Sequence, residues 1–263
     1  MLHTPPLDFD CTIMVLGLSG AGKTATVNSL LGQPAGAGYA ATRGVEVRRG
    51  EIAGVKVTIL DTPGLDPSPG AMMSNLRKLH AARRAFQKHK VNVVLYLDRL
   101  DASRRDLSDL QVVRSITEVF GADLWFSTIM VLTHGAAAPP DGSTGAPLAF
   151  DMYVQQRGTQ VQQLLRQTAG DNRLMNPVAL AENSPACARN GEGDAVLPNG
   201  TPWRRHLLML CFSTRVLHEA NSLLKPGDAA GARGGGGAGG GNPFMGMKAP
   251  PMGWLLSRLV DFK

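Results

Sequence analysis

Apolar residues in this chain gather in short unbroken runs that stop at a glycine, an aspartate or a threonine. The run CTIMVLG (11–17) reads as a strand buried on both faces. GVEVRRG and VKVTILD alternate with period two around EIAG, which predicts an antiparallel hairpin whose second strand ends at Asp61. VNVVLYL (91–97), LWFSTIMVLT (124–133) and NPVALAEN (176–183) read as further buried strands. Helical spacing fills the intervals. One helix is expected from about Gly22 to Leu31, with Val27, Leu30 and Leu31 on one face. Others cover residues 71–90, 106–121 (closed by Gly121), 150–170 and 201–224, the last opened by Thr201 and Pro202.

Strands that alternate with helices after a single hairpin predict an α/β, doubly wound fold. The sheet should be six-stranded and mostly parallel, with one antiparallel edge hairpin and helices on both faces. Residues 1–226 are expected to form the globular domain, and the glycine-rich stretch 227–243 a flexible linker. Residues 244–263 read as a short apolar helix that either docks back on the domain or opens a membrane region.

Composition narrows the function without naming it. The net charge of +6 comes from scattered pairs such as Arg48-Arg49 and Arg83-Arg84. No polybasic arm is present, so a nucleic-acid surface is not expected, although an anionic partner or membrane surface is compatible with the field. Three cysteines, Cys11, Cys187 and Cys211, are an odd number without ligand spacing. They imply neither a disulfide framework nor a zinc site, and so a reducing compartment. The opening MLHTPPLDFD carries two prolines and two aspartates, unlike a secretory or transit signal. No apolar run approaches the roughly 18–20 residues that span a bilayer, so the fragment is expected to be soluble as given.

The chemistry lies where strands end. GLSGAGKT (17–24) matches G-x-x-x-x-G-K-[ST] between a strand and a helix. Ser19, Gly20, Ala21, Gly22, Lys23, Thr24 and Ala25 would form a phosphate cradle. Lys23 would bridge β- and γ-phosphates, and Thr24 would offer its hydroxyl to Mg²⁺. In VTILDTPG (57–64), Asp61 is placed to hold the metal's shell and the Gly64 amide to meet the γ-phosphate. Thr42, the only threonine between Gly32 and Gly54, would complete the metal shell. Leu65 occupies the position where many GTPases have a water-orienting glutamine, which predicts slow hydrolysis unless another group supplies the missing charge. Asn-Lys-x-Asp, the usual guanine-reading motif, is replaced in VLTHGAAAPPDG by Thr133 and His134.

GLSGAGKT, DTPGL, VVLYLDRLD and VLTH followed by APPDG together resemble the GTPase domain of the chloroplast outer-envelope preprotein receptors, the TOC GTPases. QRGTQVQQLLRQTAGDNRLMNPVALAENSPAC and VLPNGTPWRRHLLMLCF resemble the larger receptor class, and the likeness spans residues 9–224. Septin- and immunity-associated GTPases share the general pattern. The resemblance implies a P-loop GTPase with GTP or GDP and Mg²⁺ as ligands. It makes Thr133, His134, Glu182 and Asn183 the base pocket. A carboxylate such as Glu182 can accept from guanine N1–H and the exocyclic amine, whereas it would repel the bare N1 acceptor of adenine.

The resemblance also implies a dimer across the nucleotide face, with Arg104 or Arg105 reaching the partner's site and acting with Lys23, Thr42 and Gly64 in hydrolysis. The implied partners are precursor transit peptides, a second copy or a smaller homologous receptor, and the import channel of the outer envelope. The implied location is the cytosolic side of the chloroplast outer membrane. The long acidic N-terminal region and the membrane domain of the larger class are absent here, and the glycine tract lies outside the family pattern. The rival reading is a nucleotide-stabilised dimerisation module with incidental hydrolysis. A small-molecule kinase is disfavoured by the hairpin and by Asp-Thr-Pro-Gly.

Overall fold

A computed structural model describes residues 10–33, 42–102, 107–142 and 145–224. Arg104, Arg105, the glycine-rich linker and the expected C-terminal helix lie outside the described residues. The elements run β1 (Asp10–Gly17), α1 (Lys23–Leu30), β2 (Glu46–Ile52), β3 (Val55–Asp61), α2 (Met72–His89), β4 (Val93–Arg99), α3 (Leu107–Phe120), β5 (Thr128–Thr133), α4 (Phe150–Ala169), β6 (Val178–Ala181) and α5 (Trp203–Leu224).

The strand with the longest apolar run takes the middle of the sheet. β1 is buried at every position from Cys11 to Gly17: β3 and β4 flank it in parallel, and the helices cover its faces. The sheet order is β2-β3-β1-β4-β5-β6, and β2 alone is antiparallel, as expected of the edge hairpin. Arg49 and Glu51 charge that edge, which discourages pairing with another chain. The hairpin is tighter than the sequence suggests. Glu51 pairs with Lys56 and Ile52 with Val55, so the connection is only Ala53-Gly54. Both turn residues have positive φ (51° and 78°), the geometry that matches the strands' own twist.

One expected strand is partly a helix. Residues 124–133 all read as strand, yet Ala122–Ser127 forms a 3₁₀ turn and β5 begins only at Thr128. In this turn Trp125 is fully buried. Its indole N–H donates to Thr117 Oγ1 at 2.9 Å, and its ring meets Tyr96 edge-on at 5.8 Å. The Asn176 amide then donates to the carbonyls of Trp125 and Thr128, tying the turn to the start of β6.

Two groups of helices sheathe the sheet: α1 packs against α5, while α2, α3 and α4 contact one another in series. Cys11 and Cys211 are buried between β1 and α5, and burial pushes the Cys11 thiol up to about 12, so it is an inert core residue. The five parallel strands all end on one side. Gly17, Asp61, Arg99, Thr133 and Ala181 therefore face a common crevice, where open α/β sheets bind ligands.

Candidate nucleotide-binding site

The loop after β1 can be built only with glycine at its entrance. A Cβ on Gly17 would lie 2.3 Å from the Leu97 carbonyl oxygen of β4. Gly22 (φ +76°) then caps α1 with no side-chain hydrogen bond, and the first turn of α1 has no acidic residue. The first backbone bond of the helix joins the Thr26 amide to the Gly22 carbonyl. The amides of Lys23, Thr24 and Ala25 are thus those a helix N-terminus leaves for an anion. Lys23 curls back over the loop, and its Nζ donates to the Leu18 carbonyl at 2.8 Å. Burial pushes this ammonium down to about 8, Asp61 pulls it up, and Lys78 pushes it further down. A bound phosphate would relieve that cost.

The Asp-Thr-Pro-Gly segment is laid directly on this loop. The Ser19 amide donates to the Leu65 carbonyl at 2.7 Å, and the Leu65 amide to the Gly17 carbonyl at 3.2 Å. Gly64 presses so close that a Cβ would sit 2.6 Å from Ser19 Cα. The Leu65 side chain is buried in the core. Position 65 thus contributes backbone to the loop and no side chain to the crevice.

Thr24, Thr42 and Asp61, the three expected metal ligands, meet. Thr24 Oγ1 donates to Asp61 Oδ2 at 2.7 Å and lies 3.1 Å from Thr42 Oγ1. Asp61 is fully buried, and its Oδ1 has no hydrogen-bond partner among the described residues. Burial holds this carboxyl above its ordinary range, with the Thr24 hydroxyl opposing. A buried carboxylate oxygen without a partner, beside two hydroxyls, is a hard-oxygen donor set that fits Mg²⁺, which draws its remaining ligands from phosphate and water.

The four residues expected to form the base pocket lie at or just after the ends of β5 and β6 and make different contacts. Thr133 is buried, with Oγ1 3.1 Å from the carbonyl oxygens of both Ala21 and Asp98. It fastens the end of β5 to the phosphate loop. Asn183 donates to Thr26 Oγ1 at 2.9 Å and accepts from Ser29 Oγ at 3.0 Å, so it fastens the end of β6 to α1. The Glu182 carboxylate accepts the Ala136 amide on one oxygen (2.9 Å) and the Ser184 amide on the other (2.8 Å), drawing the two loops together. His134 alone is presented outward. Its backbone is left-handed (φ 57°) and its side chain 41% exposed, with Nδ1 3.2 Å from Thr133 Oγ1.

Sequence reasoning missed the support behind Asp-Arg-Leu-Asp. Asp98 and Arg157 form a buried pair at 3.2 Å, and Tyr153 Oη donates to the Leu100 carbonyl at 2.6 Å. The available signal was an arginine on the otherwise apolar stripe Val154, Val161, Leu165 of α4. Two α2 residues, Asn75 and Lys78, were also missed.

The AIG1 family pattern matches residues 11–183. The chain belongs to the AIG1 family. This AIG1-family chain is 46% identical over 259 residues to Translocase of chloroplast 125 of Physcomitrium patens, covering 97% of this chain and 22% of that protein. It is 47% identical to Translocase of chloroplast 120 of Arabidopsis thaliana, with 97% and 23% covered. It therefore spans less than a quarter of the length of these relatives. Its fold is that of Toc33 from Arabidopsis thaliana. A dimerisation-deficient Toc33 mutant superimposes with TM-score 0.70 at 28% identity, covering 80% of this chain and 86% of that one. Toc33 in complex with GDP and Mg²⁺ gives 0.66 at 30%, covering 79% and 85%. Among the described residues, no helix is long and apolar enough to cross a membrane.

Proposed function

We propose that this chain is the GTP-binding, slowly hydrolysing switch domain of a chloroplast protein-import receptor, facing the cytosol at the outer envelope. The observation that carries the nucleotide part is the meeting of Thr24, Thr42 and the unpartnered Asp61 oxygen beside the open N-terminus of α1. The Toc33 complexes with GDP and Mg²⁺ and with Mg²⁺ and GMPPNP support the same ligands here. The translocase relatives support the receptor role and the location.

In this reading the amides of residues 20–25 and the Lys23 ammonium hold the phosphates. Mg²⁺, held by Thr24, Thr42 and Asp61, would neutralise charge between the β- and γ-phosphates. His134 packs on the purine, and Glu182 reads its edge. Each Glu182 oxygen already accepts one backbone amide, and a carboxylate has about four acceptor positions in all, so room remains for guanine N1–H and the exocyclic amine. Hydrolysis is slow because the buried Leu65 cannot orient water. Arg104 or Arg105 of a second copy or of a smaller homologous receptor would supply charge across the dimer. A structure reporting that dimerisation matters for the GTPase activity of atToc33 and psToc159 supports that arrangement.

Competition binding tests the base assignment: labelled GDP with Mg²⁺ is displaced by unlabelled GDP, ADP or XDP on wild type and Glu182→Gln. Strong preference for GDP, weakened in the variant, is expected. Equal displacement by ADP would sink it. Recognition of precursor transit peptides is tested by titrating a labelled transit peptide in the GDP and GTP-analogue states. The absence of saturable binding in both would remove the receptor role. The domain carries +6, and transit peptides are themselves basic, so simple charge attraction does not drive such binding.

The inward Leu65 also favours a second reading, a dimer glued by nucleotide with incidental hydrolysis. A single-turnover rate that ignores protein concentration and the double change Arg104→Ala, Arg105→Ala would select it.

A further inference from the structure

Position 65 offers the phosphate cradle no side chain, yet a cation reaches the same place from α2. Lys78 Nζ donates to the Gly64 carbonyl at 2.7 Å, its one hydrogen bond among the described residues. Gly64 is the residue pressed against Ser19 of the phosphate loop, so the ammonium stands where that loop and the Asp-Thr-Pro-Gly segment touch. The placement is built rather than incidental. One helical turn earlier, the buried Asn75 clasps Asp66: its Oδ1 accepts the Asp66 amide at 3.0 Å and its Nδ2 donates to the Asp66 carbonyl at 2.7 Å. Residues 75 and 78 share a helix face, so this clasp sets the height of Lys78 over Gly64.

We propose that Lys78 is a γ-phosphate-contacting residue, reaching from α2 past Gly64 to a terminal phosphoryl oxygen and covering charge that the side chain at position 65 leaves uncovered. This rests on the nucleotide reading above. The electrostatics agree, because the charge of Lys78 is felt at Lys23 and pushes that ammonium down. The half-buried Asp66 also feels the Lys78 charge, and it already accepts from the Ser68 hydroxyl and amide. Lys23 reaches the Leu18 carbonyl and Lys78 the Gly64 carbonyl, so both ammonium groups stand at the phosphate loop, where like charges favour an anion. A diphosphate satisfies Lys23 alone, whereas a triphosphate has an oxygen for each. During hydrolysis the water oxygen bonds to the γ-phosphorus as the bond to the bridging oxygen breaks; the bond's electrons stay with GDP, and the water's protons leave with the released phosphate. Lys78 exchanges no proton in this step. It stabilises the negative charge spread over the terminal oxygens of the γ-phosphoryl group as that group passes to water.

The test measures affinity of the full chain for GDP and for a non-hydrolysable GTP analogue, with Mg²⁺, in wild type, Lys78→Met, Lys78→Gln and Lys78→Arg, together with single-turnover GTP hydrolysis. A charge-assisted bond to phosphate predicts that Lys78→Met loses about tenfold or more in analogue affinity and in hydrolysis rate. GDP affinity should stay unchanged, and Lys78→Arg should keep most of the analogue binding. Lys78→Gln keeps a donor for the Gly64 carbonyl but no charge, and should behave like Lys78→Met. Equal affinities in wild type and Lys78→Met overturn the proposal. So does a parallel loss for both nucleotides, or full rescue by Lys78→Gln, since either would make Lys78 a strut for Gly64. If wild type binds neither guanine nucleotide, the reading beneath the proposal fails instead.

Discussion

Thr24 donates its hydroxyl to one oxygen of Asp61 at 2.7 Å while the other oxygen, buried beside it, has no partner among the described residues. The arrangement is under-satisfied without a cation. Asp61→Asn replaces a divalent-ion ligand with a neutral amide. The expected result is that Mg²⁺ no longer tightens nucleotide binding, while binding in chelator changes by less than about threefold. Titrating nucleotide with and without Mg²⁺ checks this. An undiminished Mg²⁺ effect in the variant would remove Asp61 from the metal site.

Lys23 makes nucleotide binding pH-dependent in a stated direction. In the free protein it sits near 8, and bound phosphate raises it again. Below that value it is charged and binding is strongest. Above it, binding must take up a proton, so affinity falls as pH rises. From pH 7 to 9 the GDP dissociation constant should rise about tenfold. Lys23→Arg should flatten the slope, because arginine stays charged throughout. The same slope in both proteins would assign it to a group other than Lys23.

Thr133 and His134 are adjacent but should fail differently. Thr133→Val removes the hydroxyl shared by the Ala21 and Asp98 carbonyls, costing about 1–2 kcal/mol of stability. All nucleotides should weaken together, with the GDP-to-ADP ratio intact. His134→Ala should leave the melting temperature within about 2 °C and weaken guanine and adenine nucleotides alike if it only stacks. A melting scan with two-nucleotide competition separates the roles, and loss of base selectivity in Thr133→Val would contradict this division.

Arg157→Leu should destabilise the domain by about 3–5 kcal/mol, because it leaves Asp98 buried without its guanidinium. Adding Asp98→Leu should recover part of that. Urea unfolding of the three proteins reads it directly, and a single-variant loss under about 1 kcal/mol would mean the pair contributes little.

The fold around this site was legible in the sequence. Runs of apolar residues ending in Gly17, Asp61 and Thr133 placed the strand ends, and strand ends hold the chemistry. What escaped was which way side chains turn. The stretch 124–133 is mostly apolar, and nothing in its pattern says that its first part is a 3₁₀ turn in which Trp125 bonds Thr117. Asn183, expected in the base pocket, also bonds Thr26 and Ser29, 157 and 154 positions away in the chain, which no local pattern shows. Lys78 was one of many basic residues on a polar helix, and only the fold shows which of them lies over Gly64.

The paired bonds between Asn75 and Asp66 have a mechanical consequence. They join the loop that follows Gly64 to the first turns of an 18-residue helix, which at 1.5 Å per residue is a rod about 27 Å long. Because the joint is near one end, a small tilt at the crevice becomes a larger sweep at His89, on the far side of the molecule. Any tilt of α2 driven from the crevice would therefore be read most strongly at its distal end.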